Sequence, residues 1–305
     1  LGHPPPNKST SDVLFFICVS ELQRAGSSRL TVERGGPETI VIMQQVGASR
    51  MRKSVRPSPI KAVLDIGRER FGGAKVIFLA GSVLRGEGTP YSDLDIVVIC
   101  KRLPAAYRQS FIHEGWPVEA FVHDPETLNY FFWEVDRPSG VPSLPTMVME
   151  GKAIPKENQL SRSLRVLARA VIEAGPPKWT EPDIQRARYA ITDLCDDIRA
   201  PRNHAELVAS ASRLYDLLAD FYLRSRGRWS AKSKTLPRKL AEVDPALAKR
   251  FIKAFDAAFS AHSSSLILQL SENLLKPYGG FCLTITNSTL FQNGVSPCLR
   301  NIIDD

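Results

Sequence analysis

Gly81-Ser82-Val83-Leu84-Arg85-Gly86-Glu87-Gly88-Thr89-Pro90-Tyr91-Ser92-Asp93-Leu94-Asp95-Ile96-Val97-Val98 is the stretch on which the reading of this 305-residue chain turns. Before it, Lys75-Val76-Ile77-Phe78-Leu79-Ala80 is a short apolar run that stops at Gly-Ser, as a buried strand does where it enters a tight turn. After the polar, Gly-rich loop, Asp93 to Ile99 is β-branched and apolar except at its first and third positions. Side chains alternate faces along a strand, so Asp93 and Asp95 point the same way, roughly 6–7 Å apart.

Two carboxylates so placed suit divalent cations. Mg²⁺ takes oxygen ligands in octahedral geometry and binds through one or two carboxylates plus substrate phosphates. A pair of such ions about 3.5–4 Å apart can activate an attacking oxygen, orient a polyphosphate and neutralise the leaving group. Gly81 lets the backbone approach a phosphate, and Ser82 offers a hydroxyl and an N–H. Arg85 adds a candidate charge-assisted contact, and Ser92 is a further candidate that also bonds within its own loop.

The order Gly-Ser, a ten-residue loop, then Asp-x-Asp in an apolar strand resembles the nucleotidyltransferase superfamily of DNA polymerase beta. Within it, the small bacterial enzymes that adenylylate aminoglycosides are nearest in style. The resemblance implies a third carboxylate on a neighbouring strand. Pro117-Val118-Glu119-Ala120-Phe121-Val122-His123-Asp124 supplies Glu119, which alternates with apolar neighbours, with Asp124 as its competitor. It further implies Asp93, Asp95 and Glu119 as catalytic and metal-binding residues, with Glu119 doubling as general base for an acceptor hydroxyl. The implied reaction moves a nucleoside monophosphate, AMP from ATP, to a hydroxyl of a small molecule such as an aminoglycoside. It depends on two Mg²⁺ ions, releases pyrophosphate and would serve antibiotic resistance. Transfer to tRNA or to a protein hydroxyl, as in toxin-antitoxin relatives, is the alternative, and a nucleotide-binding regulatory protein without turnover is another.

Composition sets limits on these readings. Five cysteines are scattered without Cys-x-x-Cys or Cys/His spacing, so neither a zinc site nor a disulfide framework is expected and a reducing cytoplasm fits. The apolar run Val13 to Val19 is too short to span a bilayer, so a soluble chain with no membrane partner is expected. The net charge of +8 is uneven: 11 basic residues face 13 acidic ones in 58–157, whereas 20 face 13 in 158–276. A basic second half opposite an acidic metal site can hold a polyphosphate, and RNA remains open though not favoured.

The expected fold class is α+β: a mixed-sheet catalytic domain over 58–157 followed by an all-α helical bundle over 158–280. Residues 1–57, broken by Pro4-Pro5-Pro6 and Gly35-Gly36-Pro37, read as a poorly organised extension, and 281–305 as an irregular, Thr/Asn/Ser-rich tail. Ser58 caps a helix over Pro59 to Phe71 with Ile60, Val63, Leu64 and Phe71 on one face. A short helix is expected over Pro125 to Val135, a Pro-rich loop over Arg137 to Pro145, and a short helix or turn over Thr146 to Glu150. From Asn158 the period is helical, with helices over Asp183 to Arg199, His204 to Gly227, and one or two from Pro245 to Leu275.

In the second half, Trp229-Ser230-Ala231-Lys232-Ser233-Lys234 leaves regular structure, and the resemblance offers Lys232 or Lys234 as a triphosphate contact. Trp229 can stack on a base, or anchor its loop. Asp193, Asp196 and Asp197, with Asp216 and Asp220, can form an acidic wall for a polycation. Pairing with Arg186, Arg188, Arg199 and Arg213 in a surface salt-bridge net is the favoured account of them.

Overall fold

The structure, a computed structural model, describes residues 56–282. The extension expected over 1–57, apart from its last two residues, lies outside the described residues, as does the tail beyond Cys282. Helix α1 (Pro59–Glu69) begins where the Ser58 hydroxyl accepts from the Lys61 amide. Of the expected face only Ile60, 39% exposed, lies outside; Val63, Leu64 and Phe71 pack in the cluster where the helix buries Ala62, Val63 and Ile66. The contact is centred there because Gly67 comes close to Ile77, where a Cβ would lie 3.1 Å from the Ile77 side chain.

Strand β1 (Ala74–Ala80) runs into a single helical turn, α2 (Gly81–Leu84), and the chain returns as β2 (Leu94–Cys100). β3 (Tyr107–His113) and β4 (Trp116–His123) form a hairpin. Its turn, Glu114-Gly115, takes positive φ at both residues (45° and 83°), the turn whose twist matches that of the strands. After β4, helix α3 (Pro125–Tyr130) passes through a π-helical stretch (Phe131–Asp136) into α4 (Arg137–Ser139), followed by α5 (Ser143–Glu150) and β5 (Lys152–Ile154). The expected loop over 137–145 is thus partly helical. Pro145 falls in the first turn of α5, where a missing N–H is tolerated.

The five strands lie in the order β3-β4-β2-β1-β5. Only β2 and β4 are parallel, the others pairing antiparallel. Alternation sorts their side chains onto two faces. Ile77, Leu79, Ile96, Val98, Ala120 and Val122 pack under α1. Val76, Phe78, Val97 and Ile99 pack on the other side, against Leu128, Phe132 and Val148.

Helix α6 (Gln159–Ala174) follows a box in which Asn158 and Ser161 exchange side-chain and backbone hydrogen bonds. It buries Leu164, Ala168 and Val171 in this second face, so the first helix after residue 157 packs on the sheet. Helices α7 (Glu181–Arg199), α8 (His204–Arg224), α9 (Leu236–Val243), α10 (Pro245–Ala261) and α11 (Ser265–Leu275) form the bundle. Their core is Leu214, Leu218, Phe221, Phe251, Phe255 and neighbours. The mixed sheet with its helical second half is the α+β class the sequence led us to expect.

Two polar bonds pin the connection from α6 to α7. Arg137 Nε donates to the Gly175 carbonyl at 3.0 Å, and Arg224 Nη2 donates to the Pro177 carbonyl at 3.2 Å. Among the described residues, no helix is long and apolar enough to cross a membrane.

Candidate active site

The parallel pairing of β2 with β4 sets Asp95 opposite Glu119, and Asp93 lies just before β2 begins. A ligand oxygen of each of the three lies within 4.8 Å of the others. Asp95 and Glu119 sit in the same row as the buried Val97 and Ile99 and as Phe121, at the end of the sheet's second face. The carboxylates are only partly exposed, so the apolar core forms their floor. Three hard oxygen donors on or beside rigid strands fit Mg²⁺, which binds through carboxylates and leaves its other positions to water and phosphate.

On the other side of β2, Ala80 pairs with Asp95, which brings the Gly81 turn against the carboxylate. Gly81 has φ +79°, and a Cβ there would run into the Asp95 carboxylate oxygen. The loop beyond is tied by its own polar groups. The Glu87 amide donates to the Ser82 carbonyl at 2.9 Å, and the Thr89 amide donates to Ser92 Oγ at 2.8 Å. Ser82 Oγ lies 3.4 Å from Ser92 Oγ. Ser92 therefore shapes the loop and stands beside Ser82, while Tyr91 is 93% exposed.

Cations surround the acidic cluster. Burial, and next the neighbouring Asp93 charge, push the Asp95 carboxyl up to about 6, against the pull of Lys234, Arg85 and Arg108. Lys234 comes from the turn between α8 and α9. Ser233, at φ 47°, separates it from Lys232, which acts instead on Asp136. The two lysines named from the sequence thus serve different carboxylates.

Asp136 is buried at the end of the π-helical stretch. It accepts from the Leu144 amide at 2.6 Å at the start of α5, and burial pushes it up to about 6 against that bond and Lys232.

The lysine turn is mounted on the sheet side of the molecule. Trp229 Nε1 donates to the Ile172 carbonyl of α6 at 2.9 Å, and the Ser230 amide donates to the Gly140 carbonyl at 2.8 Å. Trp229 is therefore an anchor, packed among the residues of the second face. A further tie runs from α9 to the loop after Gly81-Ser82: Glu87 pairs with Arg238 at 2.9 Å as well as with Arg85 at 3.3 Å.

Two charged neighbours escape sequence reasoning. Arg238 is 151 positions from its partner Glu87. Arg108, on β3, forms an ion pair with Glu119. The signal that could have found β3 is Glu114-Gly115 between two runs of alternating residues, although Tyr107-Arg108-Gln109-Ser110 is too polar to read as a strand by itself. Asp124, the competitor of Glu119, caps α3 through the Thr127 amide and also accepts from the Leu103 amide at 2.9 Å. In the bundle, Asp196 pairs with Arg199 at 3.0 Å, and Asp220 acts on the Arg224 guanidinium.

Comparison with known proteins agrees with this geometry. Residues 60–132 match the family described as nucleotidyltransferase domain. No curated protein matches the chain. Among solved structures, a nucleotidyltransferase-like protein from Exiguobacterium sibiricum 255-15 is similar at 14% identity and TM-score 0.39, over 71% of this chain and 74% of that one. That likeness is too weak to carry a functional argument. The family match spans the Gly-Ser turn, its loop and all three carboxylates. Residues 60–132 are therefore a nucleotidyltransferase domain, the catalytic domain of a transferase.

Proposed function

We propose that this enzyme transfers AMP from ATP to a hydroxyl of a small molecule, with Asp93, Asp95 and Glu119 holding two Mg²⁺ ions. The observation that carries this reading is the convergence of those carboxylates beside the Gly81-Ser82 turn, with Lys234 close enough to act on Asp95. When bound, the ions supply charge for a polyphosphate and lower the barrier to attack at phosphorus.

The chain's own residues do the rest. The Gly81 and Ser82 backbone and the Ser82 hydroxyl hold the β- and γ-phosphates, with Ser92 supporting Ser82. Arg85 and Lys234 balance the charge of the departing pyrophosphate. The acceptor oxygen forms a bond to the α-phosphorus as the bond to the bridging oxygen breaks. Pyrophosphate leaves, and Glu119 takes the hydroxyl proton. The resemblance to aminoglycoside-adenylylating enzymes supports an aminoglycoside as the acceptor, a resistance role and a cytoplasmic location.

The test is pyrophosphate release from Mg-ATP with pooled aminoglycosides, with pooled tRNA, or with neither. Release that requires the aminoglycoside pool supports the reading, and release that requires tRNA replaces the acceptor. Absence of release under all three conditions would remove the proposed reaction. In the same assay Lys234→Met is expected to raise KM for ATP about tenfold by deleting one charged contact. An unchanged KM would exclude Lys234 from the triphosphate site.

A further inference from the structure

We propose that Arg108 occupies Glu119 until a divalent cation arrives, so that cation binding at this site exchanges one positive group for another. The inference rests on the reading of Asp93, Asp95 and Glu119 as the metal ligands. Ser110 of β3 stands opposite Glu119 in the hairpin register, and Arg108 lies two residues along on the same face. That diagonal lets a long side chain cross between strands. The Arg108 guanidinium is paired with Glu119 Oε1 and lies over the Phe121 ring, 5.4 Å from its centroid. Its side chain is 41% exposed, so it has room to leave, and Phe121 gives it a platform on which to rest.

A carboxylate lone pair directed at a guanidinium is not available to a metal ion, and Mg²⁺ is intolerant of displaced ligands. Lys234, Arg85 and Arg108 all act on Asp95, and Arg108 in addition forms an ion pair with Glu119. Across the sheet the groups stand in the order Gly81 at the end of β1, Asp95 on β2, Glu119 on β4 and Arg108 on β3. With phosphates held at the Gly81 end, the acceptor enters from the Arg108 end. A guanidinium released there meets the incoming acceptor, and any anionic group on that acceptor favours the released state. Cation occupancy and acceptor binding then favour each other, as linkage requires.

Mn²⁺ binding to the full chain, followed by the electron paramagnetic resonance of the free ion without nucleotide, tests the exchange directly. Arg108→Met is expected to bind Mn²⁺ about 5- to 10-fold tighter than wild type, from loss of a competitor and of a nearby positive charge. Glu119→Gln is expected to bind more weakly, and adding Arg108→Met to it should give a clearly smaller gain than in the wild-type background, because the competition acts through Glu119 and only the charge effect on Asp95 remains. Affinity in Arg108→Met no higher than in wild type, including no detectable binding in either, overturns the proposal. An equal gain with and without Glu119 also overturns it, since it would assign Arg108 to the general field alone. No turnover is needed, so failure to find an acceptor and failure of the exchange are separate results.

Discussion

Replacement of Asp95 by Asn is expected to lower nucleotidyl transfer by about a thousandfold or more, because it removes a ligand that both metal ions would share. The same change should leave the protein as stable as wild type or more so. Burial and Asp93 push the Asp95 carboxyl up to about 6, so folding disfavours its charge. Between the unfolded value near 4 and the folded value, the native state binds more protons, so this group's contribution to stability falls as pH rises through that window. At pH 7 the contribution is gone, and a neutral amide recovers on the order of 1–3 kcal/mol.

A metal ion reverses that logic. In wild type, stabilisation by Mg²⁺ should fade as pH drops below about 6, where a proton competes for Asp95. In Asp95→Asn little such stabilisation should be seen at any pH. Thermal unfolding with and without Mg²⁺, beside the pyrophosphate assay, reads all of this. A variant that kept near-normal turnover would remove Asp95 from the chemistry, and one that lost both activity and stability would make it a structural residue.

Gly81→Ala is expected to act in the opposite sense on stability. A φ of +79° disfavours any residue with a Cβ, and here the added carbon would also meet the Asp95 carboxylate. The backbone cost is about 1–3 kcal/mol. The carboxylate must then turn away from Asp93 and Glu119, so turnover should fall about a hundredfold or more as the ligand geometry is lost. Loss of Mn²⁺ affinity together with a lower unfolding temperature is the expected signature. Asp95→Gly on this background would open space for the methyl group and recover stability without activity. Normal Mn²⁺ binding by Gly81→Ala would show that the close approach to Asp95 does not matter.

The parts of this site that could be read from the sequence are those whose signals are local. The apolar run into Gly81, the alternation that puts Asp93 and Asp95 on one side, and the alternation around Glu119 each lie within a few residues of what they determine. Other features depend on pairings that no short window contains. Arg108 reaches Glu119 only because β3 folds back along β4 in one register. Lys232 and Lys234 look equivalent in sequence, and the left-handed turn at Ser233 is what separates their targets. Prolines around Asp136 suggest a loop, which hides a carboxylate held at the start of a helix.

The pinned connection between α6 and α7 bears on how substrates come and go. A joint at Gly175 to Thr180 would look like a hinge in the chain, since it carries Gly and Pro between two long helices. Swinging about it would break the bonds of Trp229 to Ile172 and Ser230 to Gly140 together, since both cross the joint. The molecule is therefore built more like a socket than a jaw. In the proposed reaction Lys234 would then stand beside Asp95 before a nucleotide arrives, so that little reorganisation would be left for the reaction itself.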